Sequence, residues 1–370
     1  MTNPSSAPAP DLFSPLQIGD ISLKNRVVMA PLTRNRATPG NDAPNAMNVE
    51  YYRQRAGAGL IITEGTQVSQ RGQGYVWTPG MYTPAQIEGW RAVTDAVHEE
   101  GGKIVAQLWH VGRVSHVSLQ PNNDAPVSAS ALQAETKTYI ESGFTPVSPP
   151  RALELSEIPA VIAEYVTAAE NAKAAGFDGI ELHGAHGYLI DQFLRDGSNT
   201  RTDEYGGSIE NRVRFALEVV EAVSKVFSKG RVGIRISPVS PANDARDSNP
   251  QALFLHLVEK LSEAGIAFIH VVEGATREAR DYMEFDYAPL RRAFKGVYIA
   301  NNGFTRDLAI EAVASGAADA VAFGRLYIAN PDLAERLRRN APLNTPDVAT
   351  FYGGDAAGYI DYPALAGKAA

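Results

Sequence analysis

Eight short apolar runs, separated by stretches of helix length, constrain this chain more than any other feature. They are Arg26–Pro31, Gly59–Glu64, Lys103–Leu108, Asp178–His183, Val232–Ile236, Ala267–Val272, Val297–Ala300 and Ala320–Phe323. A strand wetted on one face alternates apolar and polar residues. A strand buried on both faces reads as a continuous apolar run, which is the signature of a parallel sheet covered by helices. Helical patterns fall between the runs at Met47–Ala56, Pro84–Glu100, Pro159–Ala175, Asn249–Ala264, Tyr287–Phe294 and Arg306–Ser315. A further helix is predicted after Ser208, a plausible N-cap, with Ile209, Val213, Ala216, Val220 and Val223 recurring at helical spacing.

Eight such units predict an α/β fold, a (β/α)8 TIM barrel, and 370 residues accommodate one with insertions. A doubly wound open sheet is the alternative. That fold opens on a glycine-rich first turn, whereas the first run here ends in Ala30, Pro31, Leu32 and Thr33. Leu12–Leu23 reads as an N-terminal hairpin around Gly19 and Asp20. Residues 111–158, rich in Ser, Pro and Asn without a long helical period, read as a capping insertion after the third strand. Residues 11–370 form one domain in this reading. Met1–Pro10 reads as a disordered tail, lacking the basic and apolar regions of a signal peptide.

In a barrel the C-terminal strand ends converge on one site. Here they offer Thr33, Gly65, Gln107, Trp109, Arg235, Gly303, Gly324 and Arg325, together with His183, His186 and Tyr188 crowded behind the fourth run. Glycines and an arginine after strands seven and eight suit a phosphate, through backbone N–H groups and a guanidinium. The plainer reading makes those glycines tight turns and Arg325 a surface residue. The hydroxyl, carboxamide and guanidinium of Thr33, Gln107 and Arg235 would satisfy a flat heterocycle with alternating donors and acceptors, such as an isoalloxazine ring. Arg235, on a buried strand, needs a bound anion or a carboxylate such as Glu181.

A lone buried histidine is usually hydrogen-bonded core, but two histidines and a tyrosine within six residues point to chemistry. Zinc would need a further ligand beside His183 and His186. The chain has seven histidines and no cysteine, so no metal is expected. The absence of cysteine removes disulfide scaffolds, thiol catalysis and cysteine-ligated clusters. A net charge of −8 argues against nucleic-acid binding. No apolar run approaches the roughly 18 residues needed to cross a membrane, and cytoplasm is the default location.

Along nearly its whole length the chain resembles the old yellow enzyme family of FMN-dependent ene-reductases. The resemblance is carried by Leu12–Leu16, by Lys24–Arg34 and by His183–Tyr188. It continues through the long run Asn199–Arg212 and the tail Ala349–Gly354 with Gly358, Tyr359 and Asp361–Pro363. Thr33 and Trp109 place it nearer the branch without a cysteine by the first strand.

The resemblance implies roles for individual residues. Thr33 would hydrogen-bond the flavin C4 carbonyl. Gln107 and Arg235 would hold the pyrimidine edge, Arg235 favouring the anionic reduced form. Gly65 would bring backbone close to the ring, with Ala30, Pro31 and Asn302 completing the cofactor-facing set. Gly303, Gly324 and Arg325 would bind the ribityl phosphate. His183 and His186 would hydrogen-bond a carbonyl or nitro oxygen of the substrate, and Tyr188 would protonate its α-carbon. Tyr75, Trp109, Phe351 and Tyr352 would wall the substrate pocket.

The implied cofactors are FMN with NADPH or NADH as hydride donor, sharing one pocket, since no separate dinucleotide motif is present. The implied partner is a small activated alkene or nitro compound, and the chain would be a monomer or homodimer. Three other readings remain open at this point: a reductase of nitro compounds or nitrate esters, a flavin redox sensor, and a flavin-free lyase or isomerase. The sensor would not need His183, His186 and Tyr188. The lyase would want a lysine or acid pair at the strand ends, where none is found.

Overall fold

The computed structural model describes residues 10–276, 281 and 283–365, so the tail predicted over Met1–Pro10 lies, apart from Pro10, outside the described residues. The chain opens with an antiparallel hairpin, β1 (Leu16–Ile18) and β2 (Ile21–Leu23), turned at Gly19 with φ +52. Then come β3 (Val27–Met29), β4 (Leu60–Gln67) and β5 (Ile104–Trp109). The insertion carries β6 (Val127–Ser128), β7 (Lys137–Ile140), β8 (Gly143–Pro146) and β9 (Arg151–Ala152). The chain continues with β10 (Gly179–Gly184), β11 (Val232–Ile236), β12 (Phe268–Val272), β13 (Val297–Asn301) and β14 (Ala320–Phe323). Strands β3, β4, β5 and β10 to β14 pair in parallel, in that order, and close into the expected barrel.

Helices α1 (Ala46–Gln54), α2 (Pro84–Glu99), α3 (Ile158–Ala174), α4 (Leu189–Leu194), α5 (Ile209–Val223), α6 (Pro250–Ala264), α7 (Ala288–Ala293) and α8 (Arg306–Ala314) link the barrel strands. Two more, α9 (Arg325–Ala329) and α10 (Leu333–Arg339), follow β14 and were not foreseen. Helix starts follow local chemistry: Ser208 accepts the Asn211 N–H, and Thr83 and Gln86 form a reciprocal capping box.

Every barrel strand is buried on both faces, and its two faces serve different ends. Outward residues such as Ile61, Leu108, Leu182, Ile234, Ile269 and Val321 join the helices in the main core. Inward residues Val28, Leu60, Ile62, Val105, Phe268, Ile299 and Ala320 pack with Ile18, Ile21 and Leu23 of the hairpin. The hairpin closes the N-terminal end of the barrel, where the Asp20 N–H donates to Gly230 O just before β11. Each buried aliphatic contributes roughly 1.5–3 kcal/mol of burial free energy. Above that apolar plug the inward positions turn polar: Gln107, Glu181, Arg235, His270 and Asn301, all buried. This change of character marks where the barrel stops being core and becomes a site.

The insertion forms the expected cap. Its hairpin β7–β8 reaches the barrel mouth, where Val76 N–H donates to Tyr139 O, and Thr136, Lys137, Tyr139 and Phe144 border the cavity below.

Candidate active site

A cavity of about 1340 Å3 opens at the C-terminal end of the barrel, and every site residue singled out from the sequence lies on its wall. Ala30, Pro31 and Thr33 follow β3. Gly65 lies on β4, Gln107 and Trp109 on β5, and Arg235 on β11. Asn302 and Gly303 follow β13, and Gly324 with Arg325 follows β14. Tyr75 comes from the loop after β4, and Phe351 with Tyr352 from the C-terminal segment.

His183 is the last inward residue of β10 before the chain turns. The Ala185 N–H donates to its Nδ1 at 3.3 Å, which leaves the ring proton on Nε2 in the neutral form. His186 stands in the left-handed region at φ +57 and is held on three sides. Its N–H donates to Ser237 Oγ at 2.8 Å, its carbonyl accepts from Asn243 Nδ2 at 2.9 Å, and its Nδ1 lies 3.3 Å from Ser240 Oγ. Burial, reinforced by the positive Arg235, pushes both imidazoles well below the usual histidine range, so they are neutral hydrogen-bonding groups at physiological pH.

Tyr188 begins α4, and its ring meets both Trp109 and His183 edge-on at 4.9 Å. Its hydroxyl is 3.1 Å from that of Tyr75, which in turn stacks on Trp109 at 5.7 Å. Burial raises the Tyr188 phenol above 10, against the hydrogen bond to Tyr75, which lowers it. The residue therefore holds its proton at neutral pH.

The loops behind these side chains are tied by ions. Asp191 accepts the Gly187 N–H and pairs with Arg195 at 2.7 Å; Arg195 then donates to the carbonyls of Ser237 and Pro238. The loops after β10 and β11 are thus fastened to each other around His186.

The floor is polar and partly unsatisfied. Gln107 Nε2 donates to Glu181 Oε1 at 2.8 Å. Arg235 donates from one Nη to Asn301 Oδ1 at 2.8 Å, while its buried Nε has no partner among the described residues. Glu181 therefore does not form the ion pair with Arg235 that was one expectation; its second oxygen lies 2.8 Å from His270 Nδ1. Burial pulls the guanidinium down only to about 10, so it stays positive at neutral pH. A bulge between Ile62 and Gly65 turns Glu64 away from the cavity, towards Arg34 N and the Tyr52 hydroxyl, and leaves Gly65 facing Trp109. A Cβ at Gly324 would meet only Leu32, at 3.4 Å, so the protein leaves room there.

FMN fits this cradle. The orphaned Nε of a buried cation invites an acceptor, and the turns at Gly303 (φ +67) and Gly324 beside Arg325 lie at the open end of the same cavity. The Asn302 side-chain amide donates to the carbonyls of Glu273 and Ala275, which holds this turn against the end of β12.

Four residues that hold or border the candidate site escaped the sequence reading. Asn301 sits one residue beyond the predicted end of its strand. Ser237, Ser240 and Asn243 carry no titratable group, although their place just past the end of β11 was a usable signal.

The chain matches the NADH:flavin oxidoreductase / NADH oxidase family over residues 11–344. It is 45% identical to 12-oxophytodienoate reductase 2 of Arabidopsis thaliana, over 99% of this chain and 98% of the relative. Among solved structures, a morphinone reductase in complex with tetrahydroNAD superposes with a TM-score of 0.91 at 49% identity, covering 96% of this chain and 98% of the other. The old yellow enzyme homologue from Zymomonas mobilis superposes at 0.92 with 42% identity, covering 96% and 100%.

Proposed function

Because the chain belongs to the NADH:flavin oxidoreductase / NADH oxidase family, the old yellow enzyme family of oxidoreductases, we propose that it reduces the C=C bond of activated alkenes such as enones, enals, maleimides and nitroalkenes. The observation that carries this reading is the grouping of two neutral histidines and a protonated tyrosine on one wall of a cavity whose floor presents Thr33, Gln107 and Arg235.

Thr33, Gln107, Arg235 and the turns at Gly303 and Gly324 would hold FMN, which would supply hydride chemistry drawn from a nicotinamide donor. The chain's own residues do the rest. The Nε2–H of His183 and the ring of His186 hydrogen-bond the substrate's carbonyl or nitro oxygen. They polarise the double bond and stabilise the charge that builds on that oxygen as the β-carbon is reduced. Neutral donors suit this role. Their hydrogen bonds strengthen as the oxygen turns anionic, and their neutrality avoids burying two further charges beside Arg235.

Tyr188 Oη then gives its proton to the α-carbon. A phenol with a raised pKa is a poor acid towards water but an adequate one towards a carbanion. Trp109, Tyr75, Phe351 and Tyr352 wall the substrate and exclude water from that transfer. The tetrahydroNAD complex of morphinone reductase supports a nicotinamide nucleotide entering the same cavity here. The hydride donor in this reading is NADPH or NADH, and the protein acts as a cytoplasmic monomer or homodimer.

The test is the visible spectrum of the purified protein under anaerobic addition of NADPH, then cyclohexenone. Yellow protein that bleaches and recolours supports the reading. Tyr188→Phe should bleach at the wild-type rate and recolour slowly, by a factor of about 10² or more. Colourless protein unable to take up FMN would sink it.

A further inference from the structure

Glu181 is a fully buried carboxylate inside the barrel, in the polar layer beneath the cavity, and the reaction derived above gives it no role of its own. Burying such a charge is costly unless something nearby uses it. Both of its oxygens are engaged, by Gln107 Nε2 at 2.8 Å and His270 Nδ1 at 2.8 Å. His270 is itself fully buried, and its Nε2 has no partner among the described residues, so the imidazole acts only as a strut for the carboxylate. Glu181 and His183 are successive inward residues of β10, and His183 is in register with Arg235 on β11. The anion therefore sits beside Arg235, the cation of this layer among the described residues, near enough for its charge to raise the guanidinium's pKa and yet not bonded to it. Arg235 bonds Asn301 instead.

We propose that Glu181 is the counter-charge of Arg235 and that it limits how strongly the site favours reduced over oxidised FMN, while orienting the Gln107 carboxamide. The inference rests on the flavin reading of the cavity. Two-electron reduction adds negative charge next to whatever cation holds the pyrimidine edge. An uncompensated buried guanidinium would pull the cofactor towards its reduced form and weaken it as a hydride donor. A carboxylate one strand away restores the balance without occupying the guanidinium's bonding positions, which stay open to the ligand.

The test is a spectroelectrochemical titration of the FMN-loaded protein. Glu181→Gln keeps the volume and a carbonyl for Gln107, and His270 can answer the new NH2 by moving its proton to Nε2. It should raise the preference for reduced over oxidised FMN by on the order of tenfold, from a unit charge lost within this range, which is an upward shift of ~30 mV for a two-electron couple. Glu181→Asp keeps the charge and should stay near the wild-type potential. Asn301→Asp puts a second carboxylate against the same guanidinium and should shift the potential downward. If Glu181→Gln will not hold FMN, Asn301→Asp still decides: a downward shift supports the counter-charge, and an unmoved potential overturns it. Equal shifts in Glu181→Gln and Glu181→Asp would also overturn it, since a packing role would not distinguish charge. FMN-loaded variants with unmoved potentials overturn this inference alone. A wild-type protein that takes up no FMN overturns both it and the reading on which it rests.

Discussion

The hydroxyl oxygens of Tyr75 and Tyr188 lie 3.1 Å apart across the edge of the Trp109 indole. When the Tyr188 hydroxyl gives up its proton, the oxyanion left behind is buried, and the Tyr75 O–H is in place to donate to it. Tyr75→Phe keeps the stack on Trp109 and removes that hydrogen bond. One such bond is worth about 1 kcal/mol. Stopped-flow oxidation by cyclohexenone should therefore slow by about fivefold, with a larger solvent isotope effect, while reduction by NADPH is unchanged. Equal slowing of both half-reactions would instead mean that the ring positions the whole pocket.

Acid should destabilise the fold beginning near pH 6.5. Burial lowers His183, His186 and His270, and pushes His110 down to about 3. A histidine whose folded pKa is depressed contributes stability above its unfolded value, and that contribution is lost as pH falls. Four carboxylates that burial raises oppose this, Glu164 and Asp191 among them. Burial raises Glu64 to about 7 and Asp42 to about 6, so their contribution is full at low pH and lost as pH rises through those values. Just below pH 6.5 the four histidines take up protons in the unfolded chain that they do not take up in the folded one, and they set the sign. The slope should be positive, about 1.4 kcal/mol per pH unit for each net proton. Urea midpoints from pH 7.5 to 5.0, with FMN in excess, check the sign. A flat or rising profile on acidification would contradict it.

The wall made by Phe351 and Tyr352 depends on a residue outside it. Arg34 is buried after β3 and donates from Nε to Phe351 O at 2.9 Å and from Nη2 to Thr350 O and Gly358 O. Its guanidinium stands over the rings of Tyr51 and Tyr359, and the segment answers with Gly353 N–H donating to Arg34 O. Arg34→Met would leave the carbonyls of Phe351 and Gly358 without this donor, Thr350 O keeping Arg36 Nη2, at a cost of about 3–5 kcal/mol. The KM for the enone should rise more than kcat falls, and limited proteolysis should cut within 347–360. A segment as resistant as wild type with unchanged KM would place its anchor elsewhere.

How much of this is legible in the chain follows from what each residue's neighbours are. The barrel is legible because a parallel strand must be apolar on both faces, so Val232–Ile236 or Ala320–Phe323 can hardly be anything else. The titratable wall is legible because His183, His186 and Tyr188 are close in sequence as well as in space. Helices α9 and α10 are not, since five and seven residues are too few for a hydrophobic period to declare itself. Glu64 reads as the end of a strand, and only the bulge at Ile62 and Gly65 turns it outward to Arg34 and Tyr52. Ser237 and Asn243 work by bonding the backbone of His186 across two loops, a relation with no trace in composition.

The sharpest contrast lies between two glycines of the cradle. A Cβ on Gly65 would fall 2.3 Å from Cε3 of Trp109. The indole cannot swing aside, because Tyr75 stacks on one face and Tyr188 and His183 crowd it at 4.9 and 5.9 Å. Gly65→Ala must therefore strain β4 or displace the indole, at a cost of about 1–3 kcal/mol, and the displacement reaches Tyr188. Gly324→Ala meets only Leu32, at 3.4 Å, and should fold as stably as wild type. If the turn at Gly324 cradles a phosphate, the added methyl should still weaken FMN binding. Urea melts and fluorescence titrations with FMN separate the two cases. Gly65→Ala should lose stability and alkene turnover together, and Gly324→Ala should lose FMN affinity alone. A Gly324→Ala protein that binds FMN as tightly as wild type would move the phosphate away from that turn.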